Sequence, residues 1–395
     1  MKIVHIEDFF HPDAGYQINI MPKYLQSFGH ENVIITSEIT KIPENLKKFF
    51  DCNNIERKDD LFTERTGVKV IRVPILKYIS GRSIFLSTIF KILKQENPDV
   101  IYVHGNDTFI AIMLFLRRKQ FKCSIITDSH MLDMASVNRF RGMFYLFYKK
   151  IITPIIIKNS ITVIRTQDDE YVEQRLGIPL KNAPWISYGS DLQLFHPDIN
   201  RKAEFKRVNR LNESDLIVIY AGKLDKTKGG DMLAEAFKES FKSKRNVVLV
   251  VVGSSTGEFG KEVDRLFNQS ENRIIRFETQ KYYNLPKYFQ VADICVFAKQ
   301  CSLSFYDAQA CGLPVISEDN KINVERCAYN NGWNFKSGNI EDFREKIKMV
   351  ADMSQEELTN YSKNAVKYIE EYYNYEKKSR EYERIIKETY EKQMR

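Results

Sequence analysis

Short apolar runs alternate along this chain with longer stretches of helical periodicity. Residues 2–6 form the first apolar run, and a loop over 7–15 leads into a helical pattern over 16–28. Gly29-His30 ends that pattern, and a second apolar run follows at 33–36. Strand, helix, strand in this order predicts a βαβ unit. Gly15 stands at the loop-to-helix junction, where a missing Cβ lets backbone approach a ligand closely; a plain turn glycine is the alternative. The spacing is not G-x-G-x-x-G, so the dinucleotide fingerprint is absent.

The alternation continues. Residues 41–66 are polar and irregular and read as a surface excursion. A strand is expected at 68–73, closed by Pro74, and an amphipathic helix at 84–95 with lysines on its polar face. Asn97-Pro98-Asp99 breaks that helix. A strand at 100–103 ends in His104-Gly105-Asn106, a helix covers 110–116, and a strand at 124–127 ends in Asp128-Ser129-His130. Another strand is expected at 160–164. Between them, 140–158 reads FRGMFYLFYKKIITPIIIK. This is either a buried helix kinked at Pro154 or an interfacial helix, with aromatic residues in a bilayer and Arg141, Lys149, Lys150 and Lys158 on lipid head groups.

The polar run 198–215 is the best linker. Beyond it the pattern restarts, with strands at 216–220, 247–252, 274–277 and 294–298 and helices at 229–241 and 285–290. The glycines after 252 approach a P-loop at Gly260-Lys261, but Ser255 replaces the first glycine and Glu262 the magnesium-binding hydroxyl, which excludes that ATPase motif. The stretch 292–317 gives strand, polar break at 299–302, helix at 303–311, a turn at Gly312-Leu313-Pro314, and a run at 315–316. After 316 the pattern is helices joined by short links, ending in one long charged pattern over 355–394 whose Tyr372, Tyr373 and Tyr382 are expected to pack on the body. The fold class is therefore α/β: two halves meeting near residue 200, each with strand-end loops facing a possible cleft.

Candidate chemistry sits on those loops. Ser302 and Ser304 open a helix whose free N–H groups favour an anion such as phosphate, and Asp307 one turn in could hold a sugar hydroxyl. A nucleotide or nucleotide-sugar is the natural guest, although generic βαβ units look similar. His130 lies on the rim where open α/β sheets bind ligands; a structural histidine is the alternative. Asp168-Asp169-Glu170 reads as a charge-favoured first helical turn and not a metal site.

With 395 residues, 43% hydrophobic and 28% charged, the chain can build two domains of an ordinary globular protein. A net charge of +8 suits nucleotide phosphates, an acidic membrane surface or nucleic acid, but the lysines are scattered and no nucleic-acid module is present. Cys52, Cys123, Cys295, Cys301, Cys311 and Cys327 form no C-x-x-C pair and read as buried thiols of a reducing cytoplasm. Cys301 lies in the key loop, but no histidine is near it in sequence for a catalytic thiol. No signal-peptide pattern and no apolar span of about 18 residues is present, so a cytoplasmic protein is expected.

Several segments together resemble one family. They are 97–104 (NPDVIYVH), Asp128-Ser129-His130, 188–195 (YGSDLQLF), 220–224 (YAGKL) with Lys228-Gly229, and 306–316 (YDAQACGLPVI). They resemble the retaining glycosyltransferases of family 4, glycosyl transferases group 1, which have the GT-B fold of two facing Rossmann-like domains. The resemblance implies domains at 1–197 and 198–375, with a final helix at about 376–395 crossing back to the first. It implies catalytic roles for His130, over the donor sugar, and for Lys223 and Lys228, on the donor diphosphate. Lys223 stands where arginine is usual and loses the bidentate fork. Gly15, Gly222, Gly253, Ser302, Leu303, Ser304 and Asp307 would bind the donor, with Asp307, where Glu is usual, on the ribose hydroxyls. No metal and no cofactor are implied beyond the donor itself, a UDP-sugar. The family's earlier glutamate of this loop falls at Lys299, so a non-catalytic nucleotide-sugar-binding or partner subunit is the alternative. Another GT-B enzyme, an epimerase or phosphorylase, is a further one. The implied reaction moves a sugar to a glycan or lipid-linked acceptor in cell-surface polysaccharide synthesis. Charge and the 140–158 segment add peripheral contact with an anionic membrane, on the inner face of the cell membrane.

Overall fold

Strands without a polar face must be covered on both sides, and both sheets here are built from such strands. The computed structural model describes residues 1–131, 140–166, 170–255, 257–300 and 302–394. Its chain divides into two units, Met1–Tyr188 with Tyr375–Arg395, and Gly189–Asn374. The division falls at 188/189, ahead of the polar run at 198–215.

The first unit opens with β1 (Lys2–Glu7), α1 (Gln17–Ser27) and β2 (Glu31–Ser37). Then come α2 (Glu44–Phe50), α3 (Ile55–Thr66), β3 (Lys69–Val73), β4 (Ile75–Ile79) and β5 (Arg82–Phe85). Next are α4 (Thr88–Glu96), β6 (Val100–Val103), α5 (Phe109–Leu116) and β7 (Ser124–Ser129). Last before the division come α6 (Arg141–Phe147), α7 (Thr153–Lys158) and β8 (Thr162–Arg165). The sheet runs β3-β2-β1-β6-β7-β8, all parallel. His5 of β1 lies opposite Ile34 on one side and Tyr102 on the other.

Three expectations change in this unit. The excursion at 41–66 holds two helices; α3 buries Ile55, Asp59, Phe62 and Thr66, a helical face hidden by its polar members. Residues 84 and 85, expected as the start of a helix, instead end β5, which pairs antiparallel with β4 as a hairpin, and the helix starts at Thr88. The 140–158 segment is helical throughout, but Tyr148–Ile152 form a wide π-type turn ahead of Pro154. Proline has no N–H to donate, and widening the preceding turn accommodates it without breaking the helix. Nor is the segment fully buried. Tyr148, Ile152 and Ile156 join the core, while Phe140, Met143, Leu146, Phe147, Ile151 and Ile157 are exposed.

The second unit carries α8 (Ile199–Val208), β9 (Leu216–Ala221), α9 (Gly230–Ala236), β10 (Val247–Val252), α10 (Gly257–Asn268) and β11 (Arg273–Phe277). It continues with α11 (Pro286–Phe289), β12 (Ile294–Phe297), α12 (Ser304–Ala310), β13 (Val315–Glu318) and α13 (Lys321–Arg326). It closes with β14 (Gly332–Phe335), α14 (Ile340–Asp352) and α15 (Gln355–Tyr372). The sheet order, β11-β10-β9-β12-β13-β14, repeats the pattern of the first unit. The expected linker is partly helix: Asp198 caps α8 by accepting from the Asn200 and Arg201 amides at 3.1 and 3.3 Å. A sixth strand, β14, lies where only helices were expected; its Gly332 packs so tightly that a Cβ would lie 2.3 Å from the Val315 carbonyl.

The long pattern over 355–394 breaks at Tyr373-Asn374, and its second half, α16 (Tyr375–Met394), belongs to the first unit. There Tyr382 donates to the Ile186 carbonyl at 3.1 Å, Glu383 pairs with His30 at 2.9 Å, and the Gln393 amide brackets the Ile125 backbone at 2.9 and 2.8 Å.

Candidate functional site

In an open parallel sheet, ligands bind beyond the carboxyl ends of the strands where the strand order reverses. In the second unit that point lies between β9 and β12. β9 runs into Gly222 and β10 into Gly253. A Cβ on Gly253 would sit 1.9 Å from the Gly222 carbonyl oxygen, so no side chain fits and bare backbone lines the rim. The Tyr220 hydroxyl donates to the Lys223 carbonyl at 2.6 Å and fixes the loop as it leaves the strand. Asp225 then orders the turn, accepting from the Lys228 amide at 3.0 Å and the Thr227 hydroxyl at 2.6 Å. Gly229 adopts φ +69°, and a Cβ there would lie 3.0 Å from Lys299 Cβ and 3.3 Å from Ala298 Cβ. The Lys228-Gly229 turn therefore abuts the end of β12, and Lys223, Lys228 and Lys299 stand on adjoining loops.

The loop from 299 to α12 is held from below by two charged side chains. The Gln300 amide donates to Glu318 Oε1 at 2.5 Å, and Ser337 donates to the other carboxylate oxygen at 2.8 Å. Arg326 donates to the Ser302 carbonyl at 3.1 Å while its guanidinium stacks over Phe305 and Tyr306. Leu303 caps α12 with no side-chain bond, so Ser302 and Ser304 line the helix start without capping it. Asp307 is buried, and its Oδ1 accepts the Ser190 hydroxyl at 2.6 Å. Burial pushes its carboxyl up to about 7 against the opposing pull of that bond. Cys301 lies outside the described residues. The other five cysteines are buried free thiols; burial pushes Cys123 and Cys327 up to about 11.

In the first unit His130 Nε2 meets Asp128 Oδ1 at 2.9 Å, and its Nδ1 meets the Tyr188 hydroxyl and, at 3.1 Å, Thr166 Oγ1. Asp128 is fully buried and also takes the Gly105 amide at 2.8 Å. Behind it runs a chain: Asp128 Oδ2 to His104 Nδ1 at 3.3 Å, His104 Nε2 to His5 Nδ1 at 3.2 Å, and His5 Nε2 to Asn32 Oδ1 at 3.1 Å. Burial alone would raise the Asp128 carboxyl, but His130 and His104 outweigh it and hold it far below the usual range. Burial pushes His5 down to about 3, so it is neutral at pH 7. Asp128 thus sets the tautomer and ring plane of His130. His104, Asp128 and His130 bring their ligand atoms within 4.8 Å of one another, yet the bonds above already use those atoms. Gly15 is half-buried before α1, and its backbone does not enter the left-handed region. Asp168 and Asp169 lie outside the described residues.

The structure thus gathers Lys223, Lys228, Gly222 and Gly253 at one strand-end rim, with Ser302, Leu303, Ser304 and Asp307 on the next loop and helix. Tyr188 turns to His130 within the first unit, whereas Ser190 turns to Asp307 within the second. Sequence reasoning missed Glu318 and Arg326. For Glu318 the one available signal was an acid closing an apolar strand run.

Residues 201–368 match the family model described as Glycosyl transferases group 1. A probable sucrose-phosphate synthase of Thermosipho melanesiensis is 23% identical over 97% of this chain and 95% of its own length. The Escherichia coli UDP-Gal:alpha-D-GlcNAc-diphosphoundecaprenol alpha-1,3-galactosyltransferase is 24% identical over 68% of this chain and 70% of its own. The crystal structure of a glycosyltransferase from Rickettsia africae superposes with a TM-score of 0.75 at 16% identity, covering 98% of both chains.

Proposed function

We propose that this chain, a glycosyltransferase of the GT-B fold whose residues 201–368 match the Glycosyl transferases group 1 model, transfers a sugar from a UDP-linked donor to a glycan or lipid-linked acceptor, with retained anomeric configuration, in cell-surface polysaccharide synthesis. The observation that carries the donor assignment is the strand-end rim of β10, β9 and β12, where bare backbone at Gly222 and Gly253 adjoins the lysine-bearing loops. Charge builds on the departing diphosphate as the glycosidic bond breaks, and fixed positive potential there lowers the barrier. Lys223 and Lys228 supply it in this reading, with no metal ion or cofactor. Asp307 takes the ribose hydroxyls in this reading, beside the Ser190 hydroxyl that it already accepts. His130 keeps the catalytic role that the resemblance gives it, its ring fixed by Asp128. The UDP-sugar donor and lipid-linked acceptor named for the Escherichia coli relative support this choice of substrates.

We place the enzyme in the cytoplasm, on the inner face of the cell membrane. Among the described residues no helix is long and apolar enough to cross a membrane. The exposed apolar side chains of 140–158 lie beside exposed Lys149 and Lys150, the composition of an interfacial helix that meets anionic lipid. A panel of nucleotide-sugars, read by thermal shift and by release of free nucleotide, tests the donor reading. UDP should stabilise the chain, and Lys228→Ala should weaken UDP about tenfold or more by losing a charge-assisted contact. Wild-type UDP affinity in Lys228→Ala overturns the diphosphate assignment.

A further inference from the structure

At the strand-order reversal of the first unit, between β1 and β6, the structure holds a second polar cluster that the reading above does not use. Asp8, directly after β1, is 3% exposed, and neither carboxylate oxygen has a hydrogen-bond partner among the described residues. Its nearest cation is Arg82, on the β5 strand, with Nη1 at 3.9 Å. Arg82 itself donates to Asp107 at 2.8 Å and is one-third exposed, so the cluster opens to solvent on the guanidinium side. The backbone carbonyl of Asp8 is pinned by the Ser37 and Ser83 hydroxyls, each at 2.7 Å. Glu7 folds back to accept the Asp8 amide at 3.0 Å.

A buried carboxylate with unmet lone pairs is costly, and native proteins seldom leave one without a role. An ordered water serves one lone pair or two. Carboxylate and guanidinium side by side match what a sugar offers, vicinal hydroxyls that both donate and accept. We propose that Asp8 and Arg82 form the subsite for an uncharged, hydroxyl-rich sugar ring of the acceptor, Asp8 accepting its hydroxyl protons and Arg82 donating to its oxygens. Asp8 and Asp107 already face the Arg82 guanidinium, so a phosphate or carboxylate on this ring must compete with them for that cation and is disfavoured. Burial, opposed by Arg82, lifts Asp8 to about 7, and burial lifts Glu7 well above the usual carboxylate range. The assignment rests on the glycosyltransferase reading for the word acceptor, but not on the donor site.

Saturation-transfer NMR on the full chain tests it, with methyl glycosides of glucose, galactose and N-acetylglucosamine set against glucuronic acid and glucose 6-phosphate. At least one neutral glycoside should bind, the two anionic sugars more weakly, and Asp8→Asn should weaken the neutral one about 10- to 100-fold. Arg82→Gln should act in the same direction and carries the test if Asp8→Asn fails to fold, which melting curves report. Three results overturn the proposal: no neutral glycoside binds, which leaves only water at Asp8; both variants bind it as wild type does; or an anionic sugar binds more tightly. UDP titrated into the same samples separates the two readings. UDP failing where glycosides bind sinks the donor site alone; glycosides failing where UDP binds sinks this subsite alone.

Discussion

Replacing Glu318 by alanine should loosen the loop that joins β12 to α12 and weaken UDP binding without touching a nucleotide-contacting residue. Glu318 is 7% exposed, and its carboxylate accepts the Gln300 amide at 2.5 Å. A hydrogen bond to a charged acceptor contributes about 1.5–3 kcal/mol. The Ser337 bond adds little, because that hydroxyl is exposed and recovers water. Gln300 also sits at φ +59°, a left-handed conformation that costs a non-glycine residue about 1 kcal/mol or more. Once the carboxylate is gone, nothing from β13 offsets that strain, and the loop relaxes from its present shape. A change of about 2 kcal/mol corresponds to a ~30-fold loss of UDP affinity if the loop must hold this shape to bind. It also corresponds to a melting point lower by about 4–8 °C for a unit of this size. Calorimetric titration with UDP and a thermal melt read the two quantities. Glu318→Gln keeps an acceptor for the Gln300 amide and should recover most of both. Wild-type UDP affinity in a Glu318→Ala protein that melts lower would show that the loop is structural only. An unchanged melting point would refute the argument at its first step.

Other expectations follow from the same geometry. Gly253→Ala forces a Cβ against the Gly222 carbonyl, 1.9 Å away in the present backbone, so one of the two loops must move; a loss of about 1–3 kcal/mol in urea unfolding and weaker UDP binding are expected, and unchanged values would mean that the rim is not rigid. Burial opposes ionisation of Glu383, but bonds from Lys387, His30 and Arg380 win and hold its carboxyl down to about 2, below its ordinary 4.5. A depressed carboxyl stabilises the fold above about pH 4.5, and the stabilisation fades as pH falls towards 2. Wild type and Glu383→Gln should therefore differ in stability at pH 7 and converge near pH 2; a gap that stays constant with pH would contradict the ion pairing of α16. The chain should sediment with anionic liposomes at low salt and release at high salt, and a Met143→Glu, Leu146→Glu double variant should stay in solution; sedimentation of that variant would move the contact elsewhere.

The sequence exposed the frame of this molecule wherever burial is uniform. Runs such as Leu216–Ala221 and Val247–Val252 are apolar from end to end because helices cover both faces of a parallel sheet, so they stand out against charged surroundings. Elements whose burial is mixed were hidden. The face of α3 contains Asp59 and Thr66, and Asp59 is paired with Arg72 at 2.6 Å, so its periodicity reads as polar. β14 is four residues long and contains a glycine and an asparagine; what selects it is the free edge of β13, a tertiary fact. The break between α15 and α16 leaves no mark in the polarity pattern, since both halves are charged and helical; the resemblance alone set a final helix apart, at about 376–395.

The site shows the same division at closer range. Residues proposed to meet a ligand through their own chemistry, such as Lys228 or His130, could be picked out by type and by position at a strand end. Residues that act by holding those in place could not. Glu318 and Arg326 each serve a neighbour distant in sequence: the amide of Gln300 and the carbonyl of Ser302. Their partners are fixed by parallel register, which sets one strand end beside the next, and register is written across strands and not along any one of them. Lys299 shows why this matters. Read alone, it is a lost carboxylate in the key loop. In the structure, the amide next to it is held by the carboxylate of Glu318, from the end of the neighbouring strand, so a substitution that looked disabling is flanked by a support the chain built elsewhere.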